Sequence, residues 1–278
     1  MNDLLKKYDF KFNKSFGQNF IFDTNLLRAI ASDADIDKST QVLEIGTGAG
    51  TLTKILGDMA KSVVSYEVDK NLKPVIEENL FGVTNVQVKF GDILEQSINS
   101  IEQNFSGEYK MVANLPYYIT TPIIFKFLEQ STNLKTMVIM VQKEVAERLC
   151  ATEGSANYGA ITASIKLWGN AKITRIVKRN MFVPAPNVDS AIVRIDYEPN
   201  KFNISDISLT KQVIRSAFNM RRKTLANNLK TSFNLSSEQI INILNKANLN
   251  EKIRGEALPV NKFVEIANLI YEIKKDSN

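Results

Sequence analysis

The chain has 278 residues, of which 44% are hydrophobic and 23% are charged, a composition that predicts a soluble globular protein with a substantial core. It has no histidine and a single cysteine, Cys150, which excludes zinc sites of ordinary composition, Ser-His-Asp and Cys-His catalysis, and internal disulfides. We therefore expect a cytoplasmic protein without a metal site, a secretory signal or a membrane-spanning segment.

The charge of the chain is unevenly distributed. Residues 201–278 hold 13 Lys and Arg against 7 Asp and Glu, whereas residues 1–200 hold 22 against 23, and the net charge is +5. A basic portion beside a neutral one indicates either a polyanionic partner such as nucleic acid or a solvated, lysine-rich surface, and the charge alone does not choose between them.

Segments with the spacing of helices and of strands alternate from about residue 24 to 195. Strands are predicted at QVLEIG, VVSYEVD, VQVKFGDIL, YKMVANLPY and KTMVIMVQ, with late strands in KLWGNAKITRIV and SAIVRIDYE. Helices are predicted before the first strand and between the others, which favours βαβ units and a mostly parallel sheet. After residue 200 only helical spacing occurs. We therefore predict an α/β domain over residues 1–200 and a small all-helical domain over residues 201–278.

The junction between the first predicted strand and its helix is rich in glycine, with Gly46 in VLEIGTGAGTLT. Glycines at this point permit a tight turn and a close approach of ligand to backbone. The second strand ends near Glu67, placed to bind ribose hydroxyls, and the third ends near Asp92. The G-x-G-x-G spacing favours a nucleoside over a dinucleotide, and Glu44 is expected to complete an acidic rim for a cationic ligand. A nicotinamide-dependent oxidoreductase is the alternative that the glycine loop alone suggests.

The fourth strand ends in NLPYY. The Asn114 side-chain oxygen and the Leu115 carbonyl can accept the two hydrogens of an exocyclic amine on a nucleobase, which favours the pyramidal geometry of a nucleophile without any histidine. Pro116 stiffens the loop, and Tyr117 offers a face on which an extruded base can stack. We assign Tyr118 to packing under the loop. Taken alone, such a motif is more often an ordinary strand-end turn with core aromatics.

In this order and spacing, VLEIGTGAG, YEVD, FGDIL and NLPYY resemble the class I S-adenosylmethionine-dependent methyltransferases, and more narrowly the ribosomal RNA adenine dimethyltransferases. KSFGQNFIFD, MVQKEVAERL, FVPAPNVDSAIVRI and FNMRRKTLANNL agree, and the resemblance runs from about residue 11 to 260. FNMRRKTLANNL and RGEAL are similar to the branch that acts on small-subunit rRNA. The branch that methylates 23S rRNA and confers macrolide resistance usually has a different C-terminal region.

The resemblance implies a Rossmann-like catalytic domain with a mostly parallel seven-stranded sheet, and an RNA-binding role for the helical domain. The implied reaction transfers two methyl groups from S-adenosylmethionine to the exocyclic N6 amine of each of two adjacent adenosines. These lie in a hairpin loop near the 3′ end of 16S rRNA, in the small ribosomal subunit or its precursor. We expect a monomer. A ribosome assembly factor that acts mainly by binding is the alternative of a different class.

The resemblance also implies roles for individual positions. Asn114, Leu115 and Tyr117 are expected to hold the target adenine, and Phe182 to pack against the base or the transferring methyl. Without the other motifs, Phe182 before two prolines would be interpreted as a core residue. The residues expected to bind the cofactor are Gln18, Asn19, Ile21, Gly46, Glu67, Asp92, Ile93 and Asn114.

Basic residues are expected to bind the RNA. Arg221, Arg222 and Lys223 form a cluster on a predicted helix, and contacts of such residues to phosphates position RNA without reading its sequence. Lys143 and Arg148 are expected to add to the same surface. Any single one of these side chains is more often a solvated charge.

Overall fold

A computed structural model describes residues 7–10, 18–220 and 222–276, and the chain divides into two compact units. The first unit contains the described residues up to Ala146 together with Ala171–Tyr197, and the second contains Glu147–Asn170 with the described residues from Glu198 onward. The division at residue 200 that the sequence suggested therefore differs from the structure, because residues 147–170 belong with the helical unit.

A seven-stranded, mostly parallel sheet forms the centre of the first unit, which confirms the predicted fold class. The strands in chain order are β1 (Phe20–Ile21), β2 (Gln41–Ile45), β3 (Ser62–Glu67), β4 (Val86–Phe90), β5 (Tyr109–Asn114), β6 (Leu134–Gln142), β7 (Gly169–Val177), β8 (Phe182–Val183) and β9 (Ser190–Tyr197). The sheet order is β4-β3-β2-β5-β6-β9-β7, and β1 and β8 form a separate antiparallel pair. Neighbours from β4 to β6 pair in parallel, whereas β6 pairs antiparallel with β9.

The strand order reverses beside β2, and this reversal determines where a ligand can bind. The chain proceeds from β2 to β3 and β4 on one side, and β5 then pairs with β2 on the other side. Open α/β sheets bind ligands outside the carboxyl ends of their strands at such a switch point. Val42 and Leu43 in β2 and Met111 and Val112 in β5 are fully buried, as expected for parallel strands that are covered on both faces.

The helices complete both units. In chain order they are α1 (Thr24–Asp33), α2 (Thr51–Met59), α3 (Lys73–Asn79), α4 (Ile98–Glu102), α5 (Thr120–Gln130), α6 (Lys143–Leu149), α7 (Ala160–Lys166), α8 (Ile207–Asn219), α9 (Leu225–Phe233), α10 (Ser237–Lys246) and α11 (Val260–Asp276). Asp23 caps α1 by accepting a hydrogen bond from the Leu26 backbone N–H, and the buried Leu27 and Ile30 then face the core. Within the described part of the chain, no helix combines the length and apolarity that crossing a membrane requires.

The second unit has its own hydrophobic core, to which residues 147–170 contribute. Tyr158 is fully buried and donates a hydrogen bond of 2.8 Å to the Leu258 carbonyl oxygen. Its ring packs edge-on against Phe218 with centroids 5.7 Å apart, and Ala163 and Leu167 join the same cluster. Residues 147–170 are therefore structural members of the helical unit and not a connection to it.

The predicted helix that carries the basic cluster is interrupted. Helix α8 ends before the cluster, and Thr224 caps α9 by accepting a hydrogen bond from the Asn227 backbone N–H. Arg222 and Lys223 consequently lie exposed in the connection between two helices, so their predicted placement on a helix is wrong. Arg221 lies outside the described residues.

Candidate active site

The carboxyl ends of β2, β3, β4 and β5 border one cavity of about 180 Å³. Its wall contains every residue expected to bind the cofactor and three of the four expected to hold the target base. These residues are Gln18, Asn19, Ile21, Gly46, Glu67, Asp92, Ile93, Asn114, Leu115 and Tyr117. Segments nearly 100 positions apart in sequence therefore converge on one space, as the order of the strands predicts.

The glycine loop after β2 lies close to its neighbours and has backbone conformations that side chains rarely adopt. Gly46 has φ +84°, and a Cβ there would lie 3.3 Å from the Asn114 carbonyl oxygen. Gly48 has φ +57°, and its Cβ would lie 3.2 Å from the Phe20 ring. Both conformations are ones that glycine adopts without a steric cost. The loop consequently forms a smooth backbone wall of the cavity.

Glu67, the last residue of β3, is 6% exposed and is fixed by backbone donors. Its Oε2 accepts from the Gly48 N–H at 2.7 Å and its Oε1 from the Asp69 N–H at 2.9 Å. Burial raises the pKa of Glu67, although these hydrogen bonds oppose the shift. A carboxylate has about four lone-pair positions, so two remain to accept ligand hydroxyls. The carboxylate is thus oriented before any ligand arrives.

Asp69 is a site residue that the sequence reasoning missed, although YEVD was recognised as a motif. It is 3% exposed, and its Oδ2 accepts a hydrogen bond of 2.7 Å from Gln18 Nε2. Its Oδ1 accepts from the Asn71 backbone N–H at 3.0 Å, which caps a 3-10 turn over Lys70–Leu72. Asp69 therefore holds Gln18 in the cavity wall. An aspartate two residues after a strand and directly before a turn was the available signal.

Asp92 and Ile93 follow β4 and form a mixed polar and apolar wall. The Oδ1 atom of Asp92 accepts a hydrogen bond of 2.8 Å from the Leu94 backbone N–H. Ile93 is 4% exposed, and Val68, across the cavity wall after β3, is 42% exposed. A carboxylate beside branched aliphatic side chains can bind the edge of a flat heterocycle, and the aliphatic side chains can contact the faces of the same ring.

Glu44 does not contribute to the cavity, so its predicted place in an acidic rim is wrong. It lies within β2, is fully buried, and is absent from the cavity wall formed by the described residues. Its Oε2 accepts hydrogen bonds of 2.6 Å from Thr53 Oγ1 and Ser65 Oγ. Burial raises the pKa of Glu44 to about 8 against the opposing effect of these hydrogen bonds. Glu44 is thus a buried structural group, and its raised pKa favours the protonated form at neutral pH.

The NLPYY loop orients the Asn114 amide toward the cavity. Asn114 Nδ2 donates a hydrogen bond of 3.1 Å to the Asn19 carbonyl oxygen, and this leaves Oδ1 as the acceptor of the side chain. The Pro116 carbonyl oxygen accepts from the Ile119 backbone N–H at 3.2 Å and from Thr120 Oγ1 at 3.3 Å. These contacts close the loop into a 3-10 turn ahead of α5. The amide therefore sits on a fixed backbone.

The two tyrosines of this loop have opposite environments. Tyr117 is half-buried, and its hydroxyl lies 2.8 Å from the hydroxyl of the fully buried Ser190. Burial raises the pKa of Tyr117. Tyr118 is 62% exposed, so the prediction that it packs under the loop is wrong. A 3-10 turn has about 3.0 residues per turn, so consecutive side chains point about 120° apart and one inward tyrosine directs the next outward.

A family model described as ribosomal RNA adenine dimethylase matches residues 9–272. The chain belongs to this family. The Ribosomal RNA small subunit methyltransferase A of Clostridium botulinum (strain Kyoto / Type A2) is 42% identical to it over 273 residues, 98% of each chain. The protein with the same name in Clostridioides difficile (strain 630) is 39% identical over 271 residues, 96% of this chain and 94% of the relative.

A crystal structure of a dimethyladenosine transferase from Plasmodium falciparum is similar with a TM-score of 0.79 at 28% identity, covering 93% of this chain and 98% of that one. These findings make the chain an rRNA adenine dimethyltransferase with a Rossmann-like fold, an rRNA substrate and a methyl donor. They favour methyl transfer over the nicotinamide-dependent oxidoreductase that the glycine loop alone suggested.

Phe182 of the dimethylase is not brought into the cavity wall. It lies in β8 opposite Ile21 of β1, is 3% exposed and joins a core cluster with Val177 and Ile192. This burial agrees with the alternative of a core residue, and a contact of Phe182 with the target base stays a prediction. Phe182 supports the site indirectly, because its pairing partner Ile21 does line the cavity.

The four described residues that are expected to bind RNA are exposed but belong to different units of the dimethylase. Lys143 begins α6 in the first unit, whereas Arg148, Arg222 and Lys223 belong to the second unit. Their exposure is compatible with phosphate contacts, which need accessible cations on the surface. Their role in RNA binding stays a prediction.

Proposed function

We propose that the dimethylase uses S-adenosylmethionine to methylate the N6 amines of two adjacent adenosines in a hairpin loop near the 3′ end of 16S rRNA. The observation that carries this proposal is the single cavity that extends from Glu67 and Asp92 to Asn114 and Tyr117. The names of the two relatives, which specify the small ribosomal subunit, support the choice of substrate.

The residues of the cavity fit S-adenosylmethionine. Glu67 has two acceptor positions left for the ribose hydroxyls, and Asp92 with Ile93 suits the edge and face of the adenine. The backbone wall at Gly46 permits the amino acid portion to approach closely. Gln18, Asn19 and Ile21 border the methionine and ribose end. When bound, the cofactor supplies an electrophilic methyl group on a sulfonium.

Asn114 is proposed to prepare the target amine for attack. The lone pair of an adenine exocyclic nitrogen is delocalised into the ring, which makes this nitrogen a poor nucleophile. Asn114 Oδ1 and the Leu115 carbonyl oxygen accept its two hydrogens and favour the pyramidal geometry in which the lone pair is localised. The hydrogen bond from Nδ2 to the Asn19 carbonyl supports this role, because it fixes which amide atom is the acceptor.

Tyr117 is proposed to hold the extruded base by stacking. Its hydroxyl contact with Ser190 holds the ring against rotation out of the cavity wall, which supports a fixed stacking face. No strong base is needed at this site, because the nitrogen would lose its proton to solvent only after the N–CH3 bond has formed and the S–CH3 bond has broken to release a neutral thioether. The chain has no histidine, and the proposed chemistry does not call for one. We expect the enzyme to act as a cytoplasmic monomer.

The test is methyl incorporation from labelled S-adenosylmethionine into undermethylated small subunits, with the products located by RNA mass spectrometry. We expect dimethylation of two adjacent adenosines near the 3′ end of 16S rRNA and no label in large subunits. Label found only in 23S rRNA would overturn the choice of substrate.

Titration with S-adenosylmethionine and, separately, with NAD tests the cofactor. A variant that binds subunits but cannot methylate them separates an assembly role from catalysis.

A further inference from the structure

Tyr118 is an exposed ring on the wall of the reacting cavity. It lines the same cavity as Asn114 and Tyr117, and it is 62% exposed. Within residues 7–10, 18–220 and 222–276, no hydrogen bond or ion pair involves its hydroxyl. Tyr117 instead uses its hydroxyl to contact Ser190. The two neighbouring rings therefore differ, since one is fixed within the structure and the other faces solvent.

The backbone beneath Tyr118 is fixed. The Pro116 carbonyl oxygen accepts hydrogen bonds from both Ile119 and Thr120, and Thr120 is 2% exposed at the start of α5. Only the two side-chain torsions of Tyr118 remain to be ordered when a partner stacks on the ring. A tyrosine on such a backbone supplies a large contact surface at a low cost in conformational entropy.

Isolated exposed aromatic side chains are common on protein surfaces and need no function. Tyr118 is distinguished by three features together: its position in the cavity wall, its place one residue after the proposed stacking residue Tyr117, and its fixed backbone. Val68, also in this wall, is a second exposed apolar side chain at 42%. The mouth of the cavity thus presents apolar surface to a ligand larger than the cavity itself.

Extrusion of one base from an RNA loop removes the stacking contact of the adjacent base. Single-stranded nucleic acids regain such contacts on aromatic side chains, which tolerate any base because every base has a π face. We propose that Tyr118 is a second stacking position, which binds the base flanking the target while the target adenine occupies the cavity. This inference rests on the proposed function, in which the flanking base of each target is itself an adenine.

The test compares Tyr118→Ala and Tyr118→Phe with the unaltered enzyme on undermethylated small subunits. Tyr118→Ala is expected to raise KM for the subunits about tenfold, the size typical of losing one base–aromatic stack, with the Kd for S-adenosylmethionine unchanged. Tyr118→Phe keeps the ring and is expected to stay within about twofold of the unaltered enzyme. A loss in the phenylalanine variant equal to that of Tyr118→Ala would overturn the proposal.

A second arm uses small subunits assembled with 16S rRNA in which the flanking adenosine is replaced by an abasic nucleotide. The unaltered enzyme is expected to lose about tenfold in kcat/KM on this substrate. Tyr118→Ala has already lost the stacking ring, so its kcat/KM on this substrate should be close to its value on subunits that keep the flanking base. If the losses in kcat/KM from Tyr118→Ala and from the abasic nucleotide add fully, Tyr118 does not contact this base. If the unaltered enzyme methylates no small subunits at all, the proposed function fails. An active enzyme indifferent to Tyr118→Ala overturns the stacking position alone.

Discussion

The two ends of the cavity are built in different ways. At the end formed by β3 and β4, carboxylates are held by backbone donors: Glu67 by two N–H groups and Asp92 by one. At the NLPYY end, each functional side chain is held by one contact of its own, Asn114 to a carbonyl and Tyr117 to the Ser190 hydroxyl.

This difference indicates that the two ends can be altered separately. A change to Glu67 removes the acceptor that fixes two backbone segments, including the glycine loop, so it should disturb cofactor binding first. A change to Asn114 or Tyr117 removes one side-chain contact, to the Asn19 carbonyl or to the Ser190 hydroxyl, and leaves the backbone-to-backbone hydrogen bonds in place. The end formed by β3 and β4 should therefore govern the binding of S-adenosylmethionine, and the NLPYY end should govern the transfer of the methyl group to the target base.

The largest effect is expected for Asn114→Ala. It removes the proposed acceptor for the target amine, and losing one preorganised group at a reacting atom typically costs about 100-fold or more in kcat. The Kd for S-adenosylmethionine should change little, as measured by calorimetry. Asn242→Ala, at an exposed position of α10, is the matched control and should retain full activity. Equal loss of binding and transfer in Asn114→Ala would contradict the separation of the two ends.

Glu67→Gln is expected to have the opposite signature. It replaces one acceptor oxygen with an amide donor beside backbone N–H groups, so the Kd for S-adenosylmethionine should rise by about tenfold or more. At saturating cofactor, kcat should recover most of its value. Glu238→Gln, at an exposed helix position, controls for the change of charge. A variant that binds the cofactor normally but transfers methyl groups slowly would refute this assignment.

The raised pKa of Glu44 predicts how the free energy of unfolding changes with pH. Its pKa is raised from an ordinary value of 4.5 to about 8, so the folded state binds more protons than the unfolded state in this interval. The stabilisation is complete below pH 4.5 and is lost as the pH rises to about 8. Glu44→Gln removes this titration. Denaturant unfolding should show that, between pH 5 and pH 8, the free energy of unfolding of the unaltered protein falls by about 3–4 kcal/mol relative to that of the variant.

The control for Glu44 is Glu238→Gln, which makes the same chemical change at an exposed side chain of α10. Parallel stability curves for Glu44→Gln and the unaltered protein over this range would mean that Glu44 is ionised in the folded state.

The smallest effect is expected for Ser190→Ala, which removes the hydroxyl that faces Tyr117. A neutral hydrogen bond contributes about 1 kcal/mol, so KM for small subunits should rise about fivefold while the Kd for the cofactor stays constant. Tyr117→Phe removes the other hydroxyl of the pair and should produce a similar change, and the double variant should be no worse than either. Additive effects of the two substitutions would show that their contact does not position the ring.

The sequence was sufficient to predict the sheet and most of the cavity wall, because strand-end residues of a parallel sheet must meet at one edge. Asn114, Glu67 and Asp92 were predicted on that basis and line one cavity. Glu44 was misplaced for a physical reason. Strands buried on both faces have no polar alternation to show which way a glutamate points. Its partners Thr53 and Ser65 lie 9 and 21 residues away, where no local pattern relates them to it.

The other errors concern local geometry that patterns of hydrophobicity do not resolve. The orientation of Tyr118 depends on a 3-10 turn of three residues, too short to have a periodic signal. A continuous helix across Arg222 was predicted because apolar spacing persists on both sides, whereas the hydroxyl of Thr224 caps a new helix there. The role of Phe182 at the target base stays a prediction, which its burial in the core does not test.

The inclusion of residues 147–170 in the helical unit has a consequence for modularity. The polypeptide passes from one unit to the other at residues 146–147, 170–171 and 197–198, so neither unit is a continuous stretch of chain. A fragment cut at residue 200 would lack Tyr158, which contributes both a buried ring and a hydrogen bond to the helical core. Grafting this unit between relatives, whether by recombination or in the laboratory, would require two segments to be exchanged together.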